Sequence, residues 1–244
     1  MFTPVVELRN PQVVILAAGI GTRLGLSSPK PLTALADGQT IMQRQLRHLE
    51  AAFPQAQVMV VIGHKPDLIM RAVPHVLFAY NHRFERTNTS KSLLLALRLS
   101  VPGGVLWLNG DVVFECGLLE RIHPMIKADE SFVCVNTAAI GDEEITYTLD
   151  RDGYILRLAK AIIGGLGEAV GINYVASSDK TLLIEHLERC ADQDYFERGI
   201  EFAIETAGMR VRALDISDFS VVEVDFPVDL ERANSEVCKT IRRR

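Results

Sequence analysis

The sequence predicts an α/β fold: a doubly wound, mostly parallel, Rossmann-like sheet that carries a small β-hairpin and helical lid. Three observations lead there. Short continuous apolar runs recur at 13–16, 57–62, 76–80, 105–109 and 131–136, the pattern of strands buried on both faces. Segments with apolar residues at helical spacing separate these runs, as in βαβ units. Beyond residue 138 the alternation stops, and two shorter runs, 145–149 and 154–158, flank Asp152-Gly153, a hairpin turn signal.

Taken in order, residues 1–12 lead into the first strand. Thr40 and Gln43 have the spacing of a capping box, and Ile41, Leu46, Leu49 and Phe53 follow at roughly helical intervals before Pro54 ends the run. Pro66 suits the first turn of a second helix. Thr89-Ser90 is read as the cap of a third helix that runs to residue 100, with Leu93, Leu94 and Leu97 inward. A fourth helix spans 116–127, interrupted in pattern by Pro124. After the hairpin, Gly164, Gly165 and Gly167 mark a mobile loop and 171–176 reads as a strand. Helices near 178–190 and 194–207, strands at 211–216 and 221–225, and a helix over 227–241 complete the chain. The basic residues 242–244 sit where a helix dipole favours positive charge.

Composition bounds the class. The chain has 244 residues, 48% hydrophobic and 23% charged, enough for one large α/β domain spanning 1–244. A net charge of −5 gives no basic field for nucleic acid. No apolar run has bilayer length, so no membrane partner is expected. The amino terminus lacks the charge and long apolar core of a secretory signal, and the expected location is the cytoplasm. Cys116, Cys134, Cys190 and Cys238 are too dispersed for a metal knot and read as reduced, mostly buried thiols.

The chemistry concentrates between Leu16 and Leu32, in LAAGIGTRLGLSSPKPL. Gly19, Gly21 and Gly25 bring backbone N–H groups close to a ligand, and a loop of such amides makes an anion site. Arg23 adds a planar fork for phosphate oxygens and Lys30 a compact charge. The set describes a cradle for a triphosphate. A dinucleotide fingerprint fits less well: its third glycine falls one place late, and the next strand ends in Gly63-His64 rather than an acid. A Walker loop needs Gly-Lys-Ser/Thr, which is absent. A bare glycine turn leaves Arg23 and Lys30 unexplained.

Two acids stand at strand ends, where open α/β sheets bind ligands. Asp111 follows the run at 105–109, and Asp225 follows 221–224, with Glu223 two residues earlier on the same face. Asp111 and Asp225 are expected to meet across the cleft and, with Glu223, to hold Mg²⁺ against the triphosphate, because that ion takes carboxylate and phosphate oxygens. A turn or capping role is the alternative for Asp111.

LAAGIGTRLG (16–25) followed by PKPL (29–32) resembles the signature of nucleotidyltransferases of the sugar-phosphate nucleotidyltransferase-like family. The phosphocholine cytidylyltransferase-like branch is the most similar, through Ala79-Tyr80-Asn81, the 88–93 segment NTSKSL, Lys160 and the 167–172 segment GEAVGI. An aspartate after the 105–109 strand and an E-x-D near the end also belong to that pattern.

The resemblance implies CTP as donor, bound by Leu16, Ala17, Ala18, Gly19, Gly21, Thr22, Arg23, Lys30, Asn88 and Ser92, with Glu168 in a loop lining the acceptor pocket. It implies catalytic roles for Arg23, Lys30 and Lys160, the last beside the acceptor phosphate. An ordinary helix cap accounts for Asn88 as well, and a solvated hairpin lysine for Lys160.

The reaction implied is transfer of CMP to a small phosphorylated or phosphonate acceptor, with pyrophosphate released. A sugar 1-phosphate acceptor is one alternative; a catalytically silent nucleotide-binding regulatory subunit is another. A homodimer is compatible with the sequence. Tyr80, Phe84, Tyr147 and Tyr174 are the aromatic residues considered for a choline cage, and Asp229 is assigned to a helix first turn.

Overall fold

The computed structural model describes residues 11–25, 27–138, 144–160 and 162–236. Residues 1–10, Cys238, the stretch 237–241 expected to end the last helix and the basic tail 242–244 lie outside them. In chain order the elements are β1 (Gln12–Ala17), α1 (Ile41–Ala52), β2 (Val58–Ile62), α2 (Pro66–Ala72), β3 (Leu77–Tyr80), α3 (Thr89–Leu99), β4 (Val105–Asn109), β5 (Val112–Phe114), α4 (Gly117–Lys127) and β6 (Phe132–Asn136). There follow β7 (Ile145–Leu149), β8 (Ile155–Lys160), β9 (Glu168–Val175), α5 (Lys180–Arg189), α6 (Phe196–Ala207), β10 (Arg212–Asp215), β11 (Val221–Glu223) and α7 (Pro227–Glu236).

The main sheet has the order β10-β6-β9-β4-β1-β2-β3. β1 runs parallel to both β2 and β4, β2 to β3, and β6 to β10. Alternate residues of β1 explain why this strand is central. Val13 and Ile15 enter the core formed with α1, α2 and α4, while Val14 and Leu16 enter the core on the other face with α3, α5 and α6. Helices cover both faces, as the apolar runs predicted.

β9 departs from the parallel pattern. It lies antiparallel between β4 and β6 and extends from Glu168 rather than Gly171. A continuous apolar run reads the same in either direction, so the alternation of elements carried no sense of orientation here. The β7/β8 hairpin forms as expected, with Asp150 Oδ1 accepting from the Asp152 and Tyr154 amides at 2.9 Å each. In the loop that follows, Leu166 donates to the Tyr147 carbonyl at 3.0 Å and a Cβ at Gly165 would lie 2.8 Å from Thr146 Cβ, while Ile163 is exposed.

α1 opens with the predicted capping box between Thr40 and Gln43. α3 is capped one residue earlier than expected. Asn88 Oδ1 accepts from the Thr89 amide at 2.8 Å, whereas Thr89 Oγ1 accepts from the Phe196 amide at 3.1 Å and so ties α3 to α6. Cys134 and Cys190 are buried thiols and Cys116 is exposed, with no disulfide among them. No helix of the described residues is long and apolar enough to cross a membrane.

Candidate active site

A cleft of about 1260 Å³ opens at the carboxyl ends of β1 and β4. A smaller groove of about 700 Å³ lies at the opposite end of β2 and β3 and contains none of the glycine-loop residues. At the cleft floor the chain leaves β1 through Ala18 and turns at Gly21, whose φ of +67° favours glycine and whose missing Cβ leaves room for the Lys30 stem. Gly110 donates to the Leu16 carbonyl at 2.9 Å. A Cβ there would stand 2.8 Å from that oxygen, so glycine is required for the glycine loop and the Asp111 turn to close on each other.

Asp111 and Asp225 meet because of a short ribbon of which the sequence marked only the later strand, at 221–225. β5, directly after Asp111, pairs antiparallel with β11, which ends two residues before Asp225, with Val112 opposite Glu223. The Val224 amide donates to the Asp111 carbonyl at 3.0 Å and closes that end of the ribbon. Val113, Val222 and Val224 bury against Leu24, Leu35, Ile41 and Ala233, which fixes ribbon, glycine loop and α7 as one packed unit. Gln45, buried on α1, donates to the carbonyls of Asn109 at 2.9 Å and Val112 at 2.8 Å and so holds the backbone on both sides of Asp111.

Between the two aspartates stands Lys30. Its ammonium donates to Asp111 Oδ2 at 2.8 Å and to Asp225 Oδ1. Burial works against the charged amine, but Asp111 and then Asp225 outweigh it, and the Lys30 pKa is raised above its ordinary value. Arg23 Nη1 lies 3.1 Å from Asp225 Oδ2 at the more exposed rim. Glu223 completes the acidic group. Burial first, then the charges of Asp111 and Asp225, push its carboxyl well above the usual range. Asp229 is more than a first-turn acid: its Oδ2 accepts from the amides of Asp225 at 3.1 Å and Phe226 at 2.8 Å, and so sets the backbone at Asp225.

Among the described residues, no three His, Cys, Asp or Glu side chains are already gathered as a metal cage. The donor set nevertheless fits Mg²⁺. It is all oxygen, it comprises two carboxylates close enough to share one cation, and Asp111 Oδ1 is buried with no hydrogen-bond partner.

Leu16, Ala17, Gly19, Gly21, Asn88, Lys160 and Glu168 also line the cleft. Ala18 does not: it is buried and its carbonyl accepts from the His64 amide at 3.1 Å. Ser92 faces the interior instead, where it accepts from Asn81 Nδ2 at 3.1 Å. Thr22 lies in the turn Thr22–Leu24, and its side chain is outside what the structure describes.

Lys160, at the end of β8, stands with Nζ 5.0 Å from the centre of the Tyr195 ring. Beside it are Glu144 and Glu197, neither of which the sequence marked. The four aromatics considered for a cage do not line the cleft. Tyr174, for example, is buried against Phe132 and donates to Asp129 at 2.7 Å.

The profile of the family described as MobA-like NTP transferase domain matches residues 13–198. The chain is 30% identical over 251 residues to the CMP-5'-(3-aminopropyl)phosphonate synthase of Streptomyces rubellomurinus, covering 91% of this chain but only 38% of that protein's length. Its fold is shared with a CTP:phosphocholine cytidylyltransferase from Streptococcus pneumoniae, at a TM-score of 0.75 and 16% identity over 93% of this chain and 99% of the other. The inositol-1-phosphate CTP transferase of T. maritima is similar too, at a TM-score of 0.73 and 17% identity, covering 93% and 97%. The matched span runs from β1 through the glycine loop and Asp111 into α6, and this chain belongs to the family of MobA-like NTP transferase domains.

Proposed function

We propose that the protein transfers CMP from CTP to a small acceptor bearing a phosphate or phosphonate group, with release of pyrophosphate. The observation that carries this reading is Lys30 held between Asp111 and Asp225, with Arg23 beside them, at the mouth of the glycine loop. Two cationic side chains and a cluster of carboxylates in one cleft suit a polyphosphate with its metal ion. The name of the Streptomyces relative, a CMP-transferring phosphonate synthase, supports cytidine as the base.

In this reading an acceptor oxygen attacks the α-phosphorus of CTP. A new P–O bond forms as the bond to the β-phosphate bridge breaks, and pyrophosphate leaves with the electron pair. A phosphate monoester has its second pKa near ~6 and is largely dianionic at neutral pH, so no general base is needed. The task is to bring two anions together in line, which is a matter of positioning and charge neutralisation. Asp111, Asp225 and Glu223 would hold Mg²⁺, which when bound neutralises charge on the polyphosphate. Arg23 and Lys30 face the triphosphate and Lys160 the acceptor's anionic end. Glu168 and Asn88 line the walls between.

The test is pyrophosphate release with Mg²⁺, each of the four ribonucleoside triphosphates, and a panel of small phosphates, phosphonates and sugar 1-phosphates. Release with CTP and a small acceptor is expected. Release with sugar 1-phosphates alone would redirect the reading to sugar-nucleotide synthesis, and none with any pair would leave a nucleotide-binding protein without turnover.

A further inference from the structure

We infer that Thr89 is a positioning residue for the acceptor: through the first turn of α6 it sets where Tyr195, and with it Lys160, stands in the cleft. The inference rests on the CMP-transfer reading above and adds a residue to that same site.

A helix begins with backbone N–H groups that have no partner inside it, and a side-chain oxygen just before the first turn normally takes one. α6 lacks that device. Its N-cap residue is Tyr195, whose side chain makes no capping hydrogen bond. The Phe196 amide is met instead from another helix, by Thr89 Oγ1 at 3.1 Å. Phe196 is only 1% exposed, and its ring packs edge-on to Trp107 with centroids 5.5 Å apart, so bulk water is a poor substitute for the hydroxyl.

The same turn carries residues that face the acceptor side. Tyr195, Phe196 and Glu197 line the cleft, and the Lys160 ammonium lies 5.0 Å from the centre of the Tyr195 ring. Lys160 ends β8 on a flexible four-carbon stem, and attraction to a ring face restrains its head. Where that ring stands follows from where α6 begins.

α3 can serve as the anchor because its own start is tied down without the Thr89 hydroxyl. The Asn88 amide donates to the Asp192 carbonyl at 2.7 Å, the Ser90 amide to the Asp194 carbonyl at 3.3 Å, and Asn88 Nδ2 to the Gln193 carbonyl at 3.3 Å. Lys91 Nζ donates to the carbonyls of Leu187 at 3.0 Å and Cys190 at 2.6 Å, at the end of α5. These bonds hold α5 and the connection 191–194; the bond from Thr89 Oγ1 is the one that reaches α6 itself. Loss of that oxygen therefore leaves Asn88 in place and frees Tyr195 and Lys160.

The test is steady-state pyrophosphate release by the full chain with CTP, Mg²⁺ and the acceptor of the panel above that gives the highest kcat/KM. Thr89→Val keeps the shape and removes the oxygen. It should raise KM for the acceptor by about three- to tenfold, the range for one lost hydrogen bond, while KM for CTP stays within about twofold. Thr89→Ser keeps the oxygen and should restore the acceptor KM. Tyr195→Leu leaves the bond between α3 and α6 intact and should reproduce the acceptor defect. In a Lys160→Met background, Thr89→Val should change acceptor KM by less than about twofold, because the route to the acceptor is already cut.

An unchanged acceptor KM in Thr89→Val overturns the inference. So does an equal rise in KM for CTP, which would make Thr89 a general support of the cleft. An undiminished effect in the Lys160→Met background, or a defect that serine does not relieve, overturns it as well, and all four leave CMP transfer standing. If no acceptor releases pyrophosphate from CTP in the wild-type protein, it is the CMP-transfer reading that fails, and the inference goes with it.

Discussion

Lys30 decides how the acidic centre behaves when no ligand is bound. Its ammonium keeps Asp111 and Asp225 from repelling one another, a role that any compact cation can share. Lys30→Ala removes the cation that bridges the two carboxylates and leaves Arg23 on the exposed side of Asp225. We expect Mg²⁺ to raise the melting temperature of that variant by several degrees more than it raises that of the wild type. Equal shifts in a thermal melt with and without Mg²⁺ would mean the carboxylates do not share a cation. At this scale much of the grouping was legible: Arg23 lies between Gly21 and Gly25, Lys30 follows in the same loop between two prolines, and Asp111 and Asp225 come just after strands. Ser92 was misplaced because hydroxyl groups near a helix start look alike whether they face a cleft or, as here, Asn81. Glu197 gave no signal, since an acid in a first helical turn is commonplace and only burial makes it unusual.

The decisive element is the β5/β11 ribbon, three residues on each side. It joins the segment after Asp111 to the segment before Asp225, more than a hundred residues apart; the sequence marked the later strand, but β5 is too short to show a periodicity. The same length hides its orientation, as the continuous apolar pattern of β9 hides its antiparallel sense. α1 supports the ribbon through Ile41, packed with Val113 and Val222, through His48 against Phe114, and through Gln45, which donates two hydrogen bonds to the backbone beside Asp111. Gln45→Ala should lower stability by about 1–3 kcal/mol, the cost of leaving buried carbonyls without donors, and should also slow turnover by loosening Asp111. Urea denaturation together with kcat checks both halves. A destabilised variant with unchanged kcat would separate the clamp from the chemistry.

At the scale of the whole molecule the helix layers on both faces of the sheet followed from the apolar runs, since only burial on both faces tolerates such strands, whereas the strand order did not. The layers also fix how the protein responds to acid. His48 is buried on α1 against Phe114, and burial first, then Arg44 and Arg47, lower its pKa from 6.5 to about 4. Between those values the unfolded chain binds a proton that the folded chain refuses, so stability rises with pH through this window and is lost as pH falls from 6.5 toward 4. The gap corresponds to on the order of 3 kcal/mol. His48→Leu should therefore flatten the dependence of the denaturation midpoint on pH across that range. A wild-type-like slope in the variant would assign the acid limb to other groups.

The account as a whole requires that Asp111 reaches the same polyphosphate as Lys30, Arg23 and Asp225. The most direct measurement is the rate of pyrophosphate release from CTP by Asp111→Ala, taken beside its melting temperature. The expected result is a loss of at least about 10²-fold, the scale of removing one charge-stabilising group, with a fold as stable as the parent. Turnover near the wild-type rate would contradict it.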